Sequence, residues 1–388
     1  MTMIPYGRQH ITRADIDAVV HVLQSDFLTQ GPKVPEFEQA VADKAGAKYA
    51  VAVNSGTSAL HIACLALGLG PGDILWTSPI TFAASANCAL YCGATVDFVD
   101  IDPDTYTLCP GALEKKLKQA KQENRLPKIV IPVHMCGQSC PMAAIHDLSQ
   151  QYGFRIIEDA CHALGGQYKG KPIGGCQYSD ITVFSFHPVK LITTGEGGMA
   201  VTNEPDLAAR MARLRSHGIT REPELMTREP DGPWYYQQID LGFNYRMTDI
   251  QAALGISQLA DLDAFVTRRR ELAHRYDRLL ADLPVILPKQ DTDGASAWHL
   301  YVIRLQLNKI SLSHKQVFEK LRGNGVGVNL HYIPVYQQPY YRQMDFHPGC
   351  CPQAEQYYSE AISIPIYPDL TETQQNKVVT ALKQTLRL

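Results

Sequence analysis

The chain has 388 residues, 45% of them hydrophobic and 19% charged, with a formal net charge of −3. That balance suits a globular protein large enough for two domains, and it gives no reason to expect nucleic acid or an anionic membrane as partner. No run of about 18 apolar residues marks a membrane span, and the opening text through Arg8 lacks the apolar stretch of a secretory signal. A cytoplasmic protein is expected, with its ten cysteines reduced.

Taken in chain order, strand-like runs occur at Tyr49–Val53, Ile74–Thr77, Thr95–Val99, Lys128–Val133, Arg155–Ile157, Ile181–Phe186 and Gly198–Thr202. Helical text fills gaps between them, as at Ala59–Leu67, Pro110–Glu123 and Met142–Tyr152. This alternation predicts an α/β domain with a largely parallel sheet, whose ligands bind beyond the carboxyl ends of the strands. Asn54–Thr57, Pro79–Phe82, His134, Asp159 and Ser185 fall there. Further on, Met226–Trp234 reads as a polar surface loop. Thr248-Asp249-Ile250-Gln251 fits a capping box, and apolar residues recur at helical spacing as far as Leu272. One long helix is expected here, bridging to a smaller C-terminal α+β domain. The division expected is residues 1–255 and 256–388.

The cysteines carry no metal pattern. The run from His134 to Cys140 lacks the paired spacing of a zinc site, and Cys64, Cys88 and Cys92 read as small buried hydrophobes.

Four weaker signals point to chemistry. Ser55-Gly56-Thr57-Ser58 joins a strand to a helix, where free N–H groups and hydroxyls suit a phosphate, although Ser and Thr also serve as plain helix caps. Phe82 follows a strand and can stack on a flat heteroaromatic ring, or simply fill the core. Asp159 ends a buried strand, as a cap or as the partner of a protonated ring nitrogen. Lys190 lies in Ser185-Phe186-His187-Pro188-Val189-Lys190, ahead of Gly195-Glu196-Gly197-Gly198, whose glycines allow close backbone approach. Most lysines are solvated surface charges; this one follows an apolar strand into a stiffened loop. Phosphate loop, ring, acid and lysine come in the order expected of a fold-type I pyridoxal phosphate enzyme. A lysine amine condenses with that cofactor's aldehyde, and a carboxylate keeps its pyridine nitrogen protonated.

These motifs, together with Phe27-Leu28-Thr29-Gln30-Gly31-Pro32, Glu158-Asp159-Ala160 and Leu241-Gly242-Phe243-Asn244-Tyr245-Arg246, resemble the DegT/DnrJ/StrS type of nucleotide-sugar aminotransferase over nearly the whole chain. The opening Ile4-Pro5-Tyr6-Gly7-Arg8-Gln9 and the His187-Pro188-Val189-Lys190 form of the lysine motif are most similar to the pseudaminic acid branch of that family. The resemblance implies a large domain with a mostly parallel seven-stranded sheet and a smaller C-terminal α+β domain. It implies pyridoxal 5'-phosphate as cofactor, with Lys190 its covalent anchor and proton shuttle, Asp159 on the pyridine nitrogen and Phe82 on the ring face. Gly56, Thr57, Ser58 and Ser185 would hold the phosphate, and His162 would lie near the ring. Tyr6, His331 and Tyr332 would meet the substrate. Asn244 and Arg246 would reach the neighbour's site across a homodimer. L-Glutamate is the implied donor and a UDP-linked 2-acetamido-4-keto-6-deoxy sugar the implied acceptor. Another nucleotide-linked 3- or 4-keto sugar is the alternative acceptor, and keto-sugar dehydration the alternative reaction. Relatives that dehydrate at C3 replace the lysine with His, and here it is Lys190.

Overall fold

A computed structural model describes residues 3–386. Its central sheet contains β1 (Tyr49–Val53), β2 (Ile74–Thr77), β3 (Thr95–Phe98), β4 (Ile129–Ile131), β5 (Arg155–Asp159), β6 (Ile181–Ser185) and β7 (Gly198–Thr202). The order across it is β1-β7-β6-β5-β4-β2-β3, with only β7 antiparallel to its neighbours. The predicted strands thus form one sheet, each within a few residues of its expected ends. Pro132 stops β4 short because it has no N–H to give to a ladder. Residues of β5 and β6 alternate between two buried faces: Ile157, Ile181 and Val183 join one apolar cluster, Ile156 and Phe184 others. That alternation is the period of a strand covered on both sides.

Helices α1 (Arg13–Leu23), α2 (Lys33–Ala45), α3 (Gly56–Ala66) and α4 (Ala84–Tyr91) come first. Then follow α5 (Pro110–Gln122), α6 (Met142–Tyr152), α7 (Pro205–Arg215), α8 (Asp249–Ala260) and α9 (Leu262–Leu280). Two expectations need correction here. Helix α3 begins three residues before Ala59, because the Ser55 hydroxyl accepts from the Ser58 N–H and caps it earlier. The single long helix is two helices. The capping box at Thr248 forms as expected, but α8 ends at Asp261, whose N–H turns back to the carbonyls of Gln258 and Leu259. The middle of the inner face of α8 is made of the small residues Ala252, Ala253 and Gly255. A Cβ on Gly255 would lie 2.6 Å from the Phe37 ring. The inner face of α9 is large and apolar, with Leu262, Phe265 and Leu272 buried. The two faces thus pack against different surroundings, and the helix breaks between them at Asp261.

A second sheet of three antiparallel strands, β8 (Val285–Ile286), β9 (Tyr301–Leu305) and β10 (Ala361–Ile364), shares its own apolar cluster with α9 and later helices. Ile4, which bridges to Val326, packs in that cluster too. Arg269 of α9 is 1% exposed and has no carboxylate partner among the described residues. Its Nη1 donates to the carbonyls of Trp298 (3.3 Å), His299 (3.2 Å) and Ile366 (2.9 Å). Burial lowers its pKa to about 10, and these contacts hold the segment before β9 in place.

Candidate active site

A cavity of about 990 Å³ opens at the carboxyl ends of the parallel strands. The chain's polar residues gather there because a strand end places each just beyond the buried sheet. Val53 leads into Asn54 and Ser55, β5 ends on Asp159, and β6 ends on Ser185. The loop from Phe186 to Gly197 is tied at its base, where the Phe186 carbonyl accepts from the Thr194 N–H at 3.0 Å and the Thr193 hydroxyl at 3.1 Å. Lys190 projects from this loop into the cavity.

The structure brings Lys190, Asp159, His162, Gly56, Thr57, Ser58, Phe82, Ser185, Tyr6, His331 and Tyr332 to the cavity wall. Asn244 and Arg246 are not among its lining residues. Asn244 is exposed and pairs its backbone with Ser216, while Arg246 lines a separate cleft of about 220 Å³ beside Glu38 and Arg215. His134 also lies elsewhere: it is fully buried, accepts the Cys140 N–H at Nδ1 (3.1 Å) and donates from Nε2 to Glu158 (2.7 Å). Burial opposes ionisation of Glu158, but hydrogen bonds from His134, Ser179 and Thr182 outweigh it and keep its pKa below the ordinary value.

Lys190 reaches the cavity but is enclosed by its walls. That desolvation lowers its pKa from the usual lysine value, partly opposed by Cys161 and Asp159. Asp159 Oδ2 accepts from the Ser85 hydroxyl at 2.5 Å and Oδ1 from the Cys161 N–H at 3.1 Å. Phe82 is 63% exposed, which decides between its two readings: it is not a core residue. Tyr332 lies 6.3 Å from the Phe82 ring and its hydroxyl is 3.3 Å from His162 Nε2.

The opening turn of α3 forms a cradle. Its first N–H groups are of the kind a helix leaves unpaired. A Cβ on Gly56 would stand 3.0 Å from the Ser185 Cβ and 3.3 Å from its hydroxyl oxygen, so only glycine leaves this gap open. Ser58 is already engaged, donating to Asn54 at 2.7 Å. A phosphate would therefore be met chiefly by backbone N–H groups, Thr57 and Ser185.

Three buried imidazoles, His162, His299 and His331, complete the wall beside the exposed His187. Burial lowers the pKa of His162, of His299 and of His331, the last to about 3, and the nearby Lys190 charge adds to the effect. His299 packs against His162 with ring centroids 4.4 Å apart and planes tilted by 42°, and the Nδ1 atoms of both are buried without hydrogen-bond partners among the described residues. The sequence places Thr81 at a strand end without a role of its own, and it gives no sign of His299, Ser85 or Asn329 as cavity residues. The one available hint for His299 was an imidazole two residues ahead of the apolar run that forms β9.

The depressed pKa of His331 has a stability consequence. Between about 3 and the unfolded value of 6.5 the unfolded chain binds a proton that the folded chain refuses. Stability is complete above that window and falls as pH falls into it. From pH 7 to 5 this one group should remove about 2 kcal/mol. The melting temperature of the cofactor-free protein should therefore drop over that range, and less steeply in His331→Gln. Equal slopes would show that His331 is protonated in the fold.

Lysine, acid, exposed ring and helix-start cradle around one cavity, on a mostly parallel sheet, are the arrangement of a fold-type I pyridoxal phosphate enzyme. Comparison with known proteins narrows the class. The DegT/DnrJ/EryC1/StrS aminotransferase family model matches residues 9–383, and the chain belongs to that family. The spore coat polysaccharide biosynthesis protein SpsC of Bacillus subtilis is 38% identical over 387 residues, covering 99% of this chain and 97% of SpsC. Among solved structures, Helicobacter pylori PseC, described as an aminotransferase involved in the biosynthesis of pseudoaminic acid, matches with a TM-score of 0.91 and 31% identity, covering 99% of each chain. The pyridoxal phosphate form of the putative sugar aminotransferase Spr1654 from Streptococcus pneumoniae matches with a TM-score of 0.87 and 28% identity, covering 99% of this chain and 100% of that one. The family is pyridoxal phosphate-dependent, and the protein is a sugar aminotransferase of that family.

Proposed function

We propose that the protein transfers the amino group of L-glutamate to the C4 keto group of a UDP-linked 2-acetamido-4-keto-6-deoxy sugar, in pseudaminic acid biosynthesis in the cytoplasm. The observation that carries the reaction type is the enclosure of Lys190 and Asp159 in one cavity. The choice of acceptor is supported by the likeness to PseC.

Bound pyridoxal phosphate supplies an aldehyde carbon that takes up the amino group and a ring that accepts electron density from the adjoining carbon. The protein does the rest. Lys190 would anchor the cofactor, and its free amine would remove the α-proton of glutamate; the desolvation that lowers its pKa favours the neutral amine this needs. In the second half the same amine delivers a proton to C4 of the sugar. Asp159 would hold the ring N–H and Phe82 would cover one ring face, while the α3 cradle with Thr57 and Ser185 would take the phosphate, the Ser58 hydroxyl being engaged by Asn54. His162 lies near the ring, and Tyr6, His331 and Tyr332 close over the sugar nucleotide. Residues 1–255 would form the cofactor-binding domain and 256–388 the smaller one.

A substrate carrying a diphosphate needs cations, and among the described residues Lys190 is the only Lys or Arg lining the cavity. This supports a homodimer in which Asn244 and Arg246 of a second copy complete the site. Another nucleotide-linked keto sugar, destined for a surface polysaccharide, is the second reading, favoured by the higher identity to SpsC.

The test is a panel of UDP-, GDP- and dTDP-linked keto sugars with glutamate, read as 2-oxoglutarate released and amino sugar formed. Highest turnover should come with the UDP-linked 4-keto-6-deoxy sugar. Loss of a hydroxyl without release of 2-oxoglutarate would instead mark a dehydratase.

A further inference from the structure

The geometry points to Thr81 and Ser85 as a hydroxyl relay that positions Asp159, making one short turn responsible for both the ring-stacking residue and the aim of the acid. This rests on Asp159 acting at the cofactor nitrogen, as proposed above.

Ser85 is the second residue of α4 and is 0% exposed; Thr81, four residues earlier, is 3% exposed, and Asp159 is 5% exposed. The Ser85 hydroxyl lies 2.5 Å from Asp159 Oδ2 and 2.7 Å from the Thr81 hydroxyl. A serine hydroxyl has one proton. An ionised carboxylate can only accept, so that proton goes to Asp159, and the Thr81 hydroxyl must donate to Ser85. The direction of the chain is therefore fixed: Thr81 to Ser85 to Asp159. Each donation polarises the next. The other carboxylate oxygen is held by the Cys161 N–H at 3.1 Å. The carboxylate is thus held through both oxygens, from α4 on one side and from its own turn on the other.

Phe82 lies between the two hydroxyl residues in sequence, and its ring is exposed to the cavity while the Thr81 and Ser85 side chains are buried. The turn that presents the ring to the cofactor's face also fixes the acid at the cofactor's edge. Neither hydroxyl residue needs to touch the cofactor, so both are positioning residues.

The experiment uses the full-length protein with pyridoxal phosphate and glutamate alone, so it is independent of the sugar. Thr81→Val keeps the side-chain shape and removes the hydroxyl, Thr81→Ser keeps the hydroxyl, and Ser85→Ala removes the link to Asp159. Each is measured for cofactor affinity, for the visible absorbance of the bound cofactor and for the single-turnover rate with glutamate. Ser85→Ala should slow the glutamate half-reaction roughly 10- to 100-fold, the scale of a lost hydrogen bond to a charged group. Its cofactor absorbance should shift, with the half-saturating glutamate concentration little changed. Thr81→Val should slow the step several-fold, and Thr81→Ser should restore it. A Ser85→Ala protein with wild-type absorbance and rate, still anchored at Lys190, would overturn the relay. A wild-type protein with no cofactor at Lys190 would overturn the underlying reading instead.

Discussion

Lys190→Ala should bind pyridoxal phosphate without a covalent link, lose the visible absorbance of the anchored cofactor and lose at least about 10⁴-fold in turnover. The magnitude combines two losses. A positioned proton-transfer group contributes about 10²- to 10⁴-fold, and the anchoring amine that hands the cofactor to the donor is gone as well. Binding itself should survive, because the α3 cradle, Phe82 and Asp159 are independent of the lysine. Added small amines should restore part of the rate, since they can carry the proton that Lys190 would have moved. The neighbouring imidazoles cannot substitute. His162 and His331 are held neutral by burial, but each is fixed by its own contacts, His162 beside Tyr332 and His331 on the Ser363 hydroxyl at 2.8 Å. Turnover retained by Lys190→Ala would remove the lysine from the mechanism.

Asp159→Asn should leave the cofactor anchored but slow turnover by on the order of 10²- to 10³-fold, the scale of losing a preorganised charge at a site where charge develops. The substitution keeps the shape and removes the negative charge. Without it nothing favours a protonated ring nitrogen, and the ring accepts electrons less well. The Ser85 hydroxyl and the Cys161 N–H both donate to Asp159, so an amide can satisfy only one of them with its oxygen. The expected signature is a slowed α-proton removal, seen as a larger deuterium effect with α-deuterated glutamate, and a cofactor spectrum that remains that of the Lys190-bound form. Wild-type rates in this variant would show that the ring nitrogen is not held by Asp159.

Much of this site was legible because its residues stand at strand ends. Asp159 and Ser185 close apolar runs whose length and β-branching identify them, and Gly56 sits where a strand passes into a helix. Such positions depend on local chemistry, which a sequence displays. Ser85 was not legible. It sits in apolar, alanine-rich helical text, and its partner is 74 residues away in sequence. His299 escaped notice for the same reason: its place against the His162 ring is set by distant chain, with Arg269 of α9 bonded to the His299 carbonyl. The α8–α9 break was hidden because apolar periodicity runs straight through Asp261; the bend comes from what each face packs against. Asn244 and Arg246 flank Tyr245, whose carbonyl accepts from the Asn54 N–H at 2.8 Å, yet their side chains are not part of this cavity's lining. The dimer role proposed for them was suggested by the Leu241–Arg246 motif and not by their place in this cavity.

The central claim is that Lys190 holds the cofactor of an amino-group transfer, and one measurement addresses it directly. The protein loaded with pyridoxal phosphate is reduced with borohydride, digested and mapped by mass spectrometry, with and without prior incubation with glutamate. The account predicts one phosphopyridoxyl adduct, on the peptide containing Lys190, and its disappearance after glutamate has converted the cofactor to its amine form. An adduct on a different lysine, or one that glutamate leaves untouched, would contradict it.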